Sequence, residues 1–202
     1  MKDKVAGTHL RREHAGEGLI ERSRGLVNNP AHWTNFAVAL AGVAAVLAGL
    51  VFVALSVNLE RILQVPGLPG RAGETLIVLI GAVVQCALLL IPGLNHVALG
   101  VSLLVVGVLE WAIVTAVSVA GARQQTAEPR SWNVARVIYV QIATIPVAVA
   151  GLLLLVNASG ALYWLAGAVL WAVVAGSGNA WVLIVEIVRD AHYRPLDQEE
   201  QS

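Results

Sequence analysis

Four polar side chains lie deep inside long apolar stretches of this chain, and one of them is an acid. A carboxylate in the middle of a membrane helix costs about 2.5–3.5 kcal/mol, so such a residue needs a structural or chemical reason to be there. Counted at about 1.5 Å per helical residue, all four lie roughly 12–17 Å from the same end of their segments. We therefore predict an interior polar layer of Gln85, Glu110, Gln141 and Asn179.

The residue types of this layer allow two main interpretations. In a structural clasp, the amides donate hydrogen bonds to the carboxylate and determine how the helices pack. In a functional layer, the acid binds a proton or an ion, or the polar groups line a pocket for a small ligand. A third interpretation is chance placement toward lipid. The functional interpretation has one weakness, because Glu110 is the only acid predicted to lie inside the apolar segments.

A second polar set lies where several apolar segments end on one side. Its members surround the connection Pro66-Gly67-Leu68-Pro69-Gly70, which two prolines and two glycines predict to be a turn rather than a helix. Snorkelling and ion pairing at lipid headgroups is one interpretation, and a docking or ligand surface is the alternative. This cytoplasmic-end cluster comprises Ser56, Glu60, Arg61, Arg71, Glu74, Glu186 and Arg189.

The composition shows which elements must position these residues. Of 202 residues, 57% are hydrophobic and only 13% are charged, whereas a soluble domain carries about 25% charged residues. Lipid must therefore cover much of the surface. The net charge of zero provides no field for attracting nucleic acid, and we predict no nucleic-acid partner.

Apolar runs long enough to cross a bilayer predict an all-α helical bundle with about five transmembrane helices. Turns at Pro92-Gly93-Leu94-Asn95 and Asn157-Ala158-Ser159-Gly160 divide the longer runs. We predict a polar N-terminal tail (1–32), a transmembrane domain (33–190) and a polar C-terminal tail (191–202). The predicted spans are about 36–59, 75–92, 96–120, 134–157 and 161–188.

The distribution of arginine predicts the orientation of the bundle. Arginines flank the connections at 60–74 and 121–133 and the C-terminal end, whereas the two tight turns carry none. These three arginine-bearing segments fall on one side, which we predict to be the cytoplasm. The N-terminus then lies outside, although its tail conflicts with the rule by carrying Lys2, Lys4, Arg11, Arg12, Arg22 and Arg24.

Small residues four positions apart predict where helices approach closely in lipid. Such stripes occur in the first and fifth spans, and either could contact another helix of the bundle or another subunit. The first stripe is Ala37, Ala41, Ala45 and Gly49, and the second is Ala168, Ala172, Gly176 and Ala180.

Sequence signatures of catalysis or of bound cofactors and metals are lacking. There is no His-Glu-x-x-His motif, no phosphate-binding glycine loop and no paired set of Cys or His ligands. The single cysteine, Cys86, excludes an intrachain disulfide. We predict a protein that is not an enzyme, with no catalytic, cofactor-binding or metal-binding residues.

Three blocks, within 49–60, 68–75 and 179–189, resemble an uncharacterised bacterial family of multi-pass membrane proteins. They read Gly-Leu-Val-Phe-Val-Ala-Leu-Ser-Val-Asn-Leu-Glu, Leu-Pro-Gly-Arg-Ala-Gly-Glu-Thr and Asn-Ala-Trp-Val-Leu-Ile-Val-Glu-Ile-Val-Arg. The resemblance covers roughly 33–190 and implies a bacterial plasma membrane. Family members are sometimes labelled modulators of a membrane-bound AAA protease, which implies a binding partner and no catalysis.

The functional hypotheses are therefore ranked by what the residues supply. A regulatory or assembly protein that binds itself or another membrane protein within the lipid bilayer comes first, because small-residue faces and missing catalytic groups suit it. The alternative is a proton- or ion-coupled transporter or channel that uses the polar layer around Glu110.

Overall fold

The structure, a computed structural model, describes residues 28–64, 68–124 and 130–199. Most of the predicted N-terminal tail, residues 1–27, lies outside the described residues, as do the side chains of Arg61, Glu186 and Arg189. The described chain is helical, without strands. After a short 3-10 helix (Pro30–Trp33), its helices are α1 (Thr34–Val57), α2 (Leu59–Gln64), α3 (Leu68–Leu90), α4 (His96–Gln124), α5 (Arg130–Leu155) and α6 (Ala161–Glu199).

Five of these helices, α1, α3, α4, α5 and α6, contain segments long and apolar enough to cross a membrane. This confirms the prediction of an all-α membrane bundle. The predicted second span is too short, because α3 begins at Leu68 and not near Thr75. Pro69 lies in the first turn of α3, where the backbone N–H groups have no acceptor within the helix and proline is tolerated. The predicted turn at 66–70 is therefore wrong for residues 68–70.

The two tight turns have the local chemistry that helix ends require. The side-chain oxygen of Asn95 accepts a hydrogen bond from the Ala98 N–H at 2.7 Å, which caps the start of α4. At the end of α5, Asn157 adopts a left-handed φ of 52°. The Ala158 N–H then donates to the Leu153 carbonyl at 2.9 Å, as in a Schellman motif.

The segment before α1 packs against the turn between α5 and α6. The Asn28 amide donates to the Ala158 carbonyl at 2.6 Å, and the Trp33 ring meets the Tyr163 ring edge-to-face at 4.9 Å. The chain therefore enters α1 at the same end of the bundle at which it leaves α5. An odd number of spans has this arrangement.

Helices α3, α4, α5 and α6 form a closed ring in chain order, and α1 packs outside it against α3 and α6. The closest pair is α4 and α5, which meet backbone to backbone through glycine. A Cβ atom on Gly107 would lie 2.7 Å from the Ala148 nitrogen, and one on Gly100 would lie 3.0 Å from the Gly151 carbonyl oxygen. Small residues permit this approach, as in other membrane bundles.

Candidate functional site

The Glu110 carboxylate is buried at the midpoint of α4 and contacts α3. It accepts a hydrogen bond from Gln85 Nε2 at 2.7 Å, and the two residues are only 6% and 2% exposed. The space for the carboxylate is created by Gly81, one turn before Gln85. A Cβ atom on Gly81 would lie 2.6 Å from Glu110 Oε2, so a larger residue at this position would displace the acid.

A second acid, Glu74, is buried in the same interface, nearer the start of α3. It is 2% exposed, and Glu74 Oε1 accepts a hydrogen bond from Ser118 Oγ of α4 at 2.8 Å. The sequence assigned Glu74 to the cytoplasmic-end cluster. That assignment is wrong for this residue, because the earlier start of α3 places Glu74 inside the helix and turns it toward α4.

A third polar contact joins α4 to α5. Gln141 Nε2 donates to Thr115 Oγ1 at 3.0 Å. The other amide atom, Gln141 Oε1, is buried and has no hydrogen-bond donor among the described residues. Thr115 lies five residues beyond Glu110 along α4, or about 7.5 Å by helical rise. Gln141 therefore contributes to a separate level of the bundle and does not contact Glu110.

The predicted single layer is thus resolved into contacts at different depths. Gln85 and Glu110 are brought together, but Asn179 lies elsewhere. Gly176 packs against the Leu79 side chain, and Asn179 follows it by three residues, toward the Glu74 end of α3. The half-buried Asn179 side chain forms no hydrogen bond within the described part of the chain. Counting back from Arg189 misplaced it, because α6 continues to Glu199.

The rest of the cytoplasmic-end cluster is not assembled around Glu74. Ser56 is exposed on α1, where its hydroxyl donates to the Phe52 carbonyl of its own helix at 2.8 Å. Glu60 is exposed on α2, and Arg71 is half-buried one turn before Glu74. The side-chain contacts predicted for Arg61, Glu186 and Arg189 lie outside the described side chains.

The small-residue stripes have different surroundings in the two helices. Ala168, Ala172 and Gly176 are buried, and a Cβ atom on Gly176 would lie 2.6 Å from Leu79 Cδ2; Ala180 is partly buried. In α1, by contrast, only Ala37 of the predicted stripe is fully buried and Ala41 is partly buried. Ala45 and Gly49 face outward, and nothing lies within 4 Å of a Cβ on Gly49. These two residues make no contact face inside the described bundle.

Three residues of the site were missed at the level of sequence. Ser118 and Thr115 are the partners of Glu74 and Gln141, yet hydroxyl residues are common in membrane helices and gave no distinct signal. Glu74 did carry one. It precedes Gln85 by 11 residues, which is close to three helical turns, so the two side chains share one face of α3.

Together the fold and these contacts define a multi-pass α-helical membrane protein with acids buried between its spans. No known protein family, curated protein or solved structure matches the chain. The family resemblance of the three sequence blocks therefore stays a prediction. Within the described residues, no three His, Cys, Asp or Glu side chains are grouped so as to hold a metal ion.

Proposed function

We propose that this chain is a non-enzymatic multi-pass protein of a bacterial plasma membrane that carries protons or cations, as a coupled transporter or channel, through the contacts around Glu110. One observation supports this most directly: two carboxyl groups, Glu110 and Glu74, are buried between α3 and α4. It removes the main objection raised by the sequence, which placed only one acid inside the spans.

The chemistry of these contacts suits a group that binds and releases a proton or cation. A carboxylate inside hydrocarbon must be paired, hydrogen-bonded or neutralised. Glu110 has one hydrogen-bond donor, the uncharged Gln85 amide, and no ion-pair partner among the described residues. A bound proton or cation would complete the compensation of this charge, and its release would leave the amide in place to stabilise the anion.

Flux measurements in reconstituted vesicles test this function. Vesicles that contain the protein and a trapped pH-sensitive dye should dissipate an imposed proton or cation gradient faster than empty vesicles. Glu110→Gln keeps the size and hydrogen-bonding capacity of the side chain but removes its ionisable group, so it should abolish the flux. The matched control is Glu60→Gln, the same change at an exposed position. Wild-type vesicles without flux under either gradient would refute the proposal.

A second candidate function is binding to another membrane protein, as a regulatory or assembly partner. It is supported by α1, which has only three buried residues, Ala37, Ala44 and Val51, and turns Ala45 and Gly49 outward. A small-residue surface in lipid permits close packing of a further helix. Crosslinking from native membranes, with Gly49→Leu as the variant, tests it. A crosslinked product that Gly49→Leu leaves unchanged would separate any partner from this face.

A further inference from the structure

The buried polar residues are distributed unevenly across the bundle. All of them, among the described residues, lie between the level of the Gln85–Glu110 contact and the end where α3 begins and α4 finishes. We call this half the polar half. Thr144 belongs to it because α5 runs antiparallel to α4 and Ala148, four residues later, faces Gly107. The buried polar residues are Glu74, Thr75, Gln85, Glu110, Ser118 and Thr144.

The opposite half of the bundle is apolar and closely packed. Beyond Gln85, the buried residues of α3 are Cys86 and Leu89, and those of α4 before Glu110 are Leu99, Leu103 and two glycines. The glycines bring the α4 and α5 backbones into contact in this half. Water has no polar side chain to bind there and little space to occupy.

The polar half, in contrast, has hydrogen-bonding capacity that its side chains do not use among themselves. Gln141 Oε1 is buried without a donor, although the same amide already donates to Thr115. A buried carbonyl oxygen without a donor costs about 1–3 kcal/mol, and an internal water removes that cost. This oxygen lies at a level between the Glu110 and Ser118 contacts.

We propose that Glu110 exchanges protons with only one side of the membrane, reached through water in the polar half along Thr115, Gln141, Ser118 and Glu74. This inference rests on the proposed proton function and adds the direction of access. The carboxylate gains its proton from a hydronium ion that becomes water, and it returns the proton by the same route. In the predicted topology, this side is the cytoplasm. Release to the other side would then require the apolar half to open.

Cysteine labelling with a charged, membrane-impermeant methanethiosulfonate tests the access directly, because the reaction requires an ionised thiol in contact with water. Ser118→Cys, in a Cys86→Ala background, places a thiol of nearly the size of the serine in the polar half. The native Cys86, in the otherwise unchanged protein, is the matched probe of the apolar half. Ser118 lies six residues from Gln124, about 9 Å, whereas Cys86 lies four residues from Leu90, about 6 Å.

The two probes separate hydration from simple depth. Depth alone predicts faster labelling at Cys86, which is nearer its helix end. The proposal predicts the reverse: the Ser118→Cys protein reacts at least tenfold faster than Cys86, and only from the side where α4 ends. Faster labelling of Cys86, equal labelling of both, or reaction of Ser118→Cys from both sides would overturn it. If Ser118→Cys does not fold, judged by detergent melting, Thr115→Cys replaces it with the same expected result.

This experiment is independent of the flux assay. One-sided labelling without any flux in the vesicles would refute the proposed transport function while leaving the hydrated polar half intact. Flux with labelling from both sides would support transport and refute one-sided access.

Discussion

The glycine contact between α4 and α5 gives a prediction whose size follows from the structure. A Cβ atom on Gly107 would lie 2.7 Å from the Ala148 nitrogen and 3.1 Å from its Cα. Both are backbone atoms, which cannot rotate away as the end of a side chain could. Gly107→Ala therefore forces the two helices apart. Overpacking of this kind costs about 1–3 kcal/mol.

Gly49→Ala is the matched control for this substitution. It makes the same chemical change inside a transmembrane helix, but nothing lies within 4 Å of its Cβ. Alanine favours a helix over glycine by up to about 1 kcal/mol in water, and a gain of this kind occurs in both variants. The difference between the two variants thus isolates the steric cost at the α4–α5 contact.

The measurement is reversible unfolding in mixed detergent micelles, together with thermal melting. At about 2–4 °C per kcal/mol for a chain of this size, Gly107→Ala should melt roughly 2–12 °C below Gly49→Ala. Equal melting temperatures for the two variants would show that α4 and α5 are not in backbone contact. The close packing of the apolar half would then lose its main support.

Two further predictions concern the buried acid and the topology. Glu110→Leu should destabilise the fold by about 1–3 kcal/mol, because it leaves the Gln85 amide buried without an acceptor, while Glu110→Gln should keep near wild-type stability; detergent unfolding of the pair checks this, and equal losses would show that the hydrogen bond does not matter. Cysteines introduced at Gln125 and Ser159, in a background without the native cysteine, should be labelled from opposite sides of the membrane, with Gln125 cytoplasmic; labelling of both from the same side would contradict the five-span topology.

Much of the architecture follows from short-range properties of the chain. Apolar runs near 20 residues specify membrane helices because a buried backbone in lipid must satisfy its own hydrogen bonds. The turns at 91–95 and 156–160 follow from residues that cap or end helices, such as Asn95 and Asn157. These signals are local, so the spans and their number could be predicted without knowledge of any contact between helices.

The partners of the polar side chains depend on helix rotation and relative depth, which no local signal specifies. A start of α3 seven residues earlier than predicted was enough to move Glu74 from a charged loop to the α3–α4 interface. Equal depth suggested four residues in one layer, yet only Gln85 and Glu110 meet.

Small residues show the same division between sequence and tertiary structure. Stripes of alanine and glycine are visible in α1 and α6, but whether a stripe meets another helix depends on which way that helix is turned. Gly176 packs against Leu79, whereas Gly49 faces outward. The closest contact, at Gly107, belongs to no predicted stripe. By itself, the sequence determined which segments cross the membrane and which side chains are costly to place there. Only the tertiary structure decided which of those side chains meet, because helices in lipid are oriented by packing and hydrogen bonds between them.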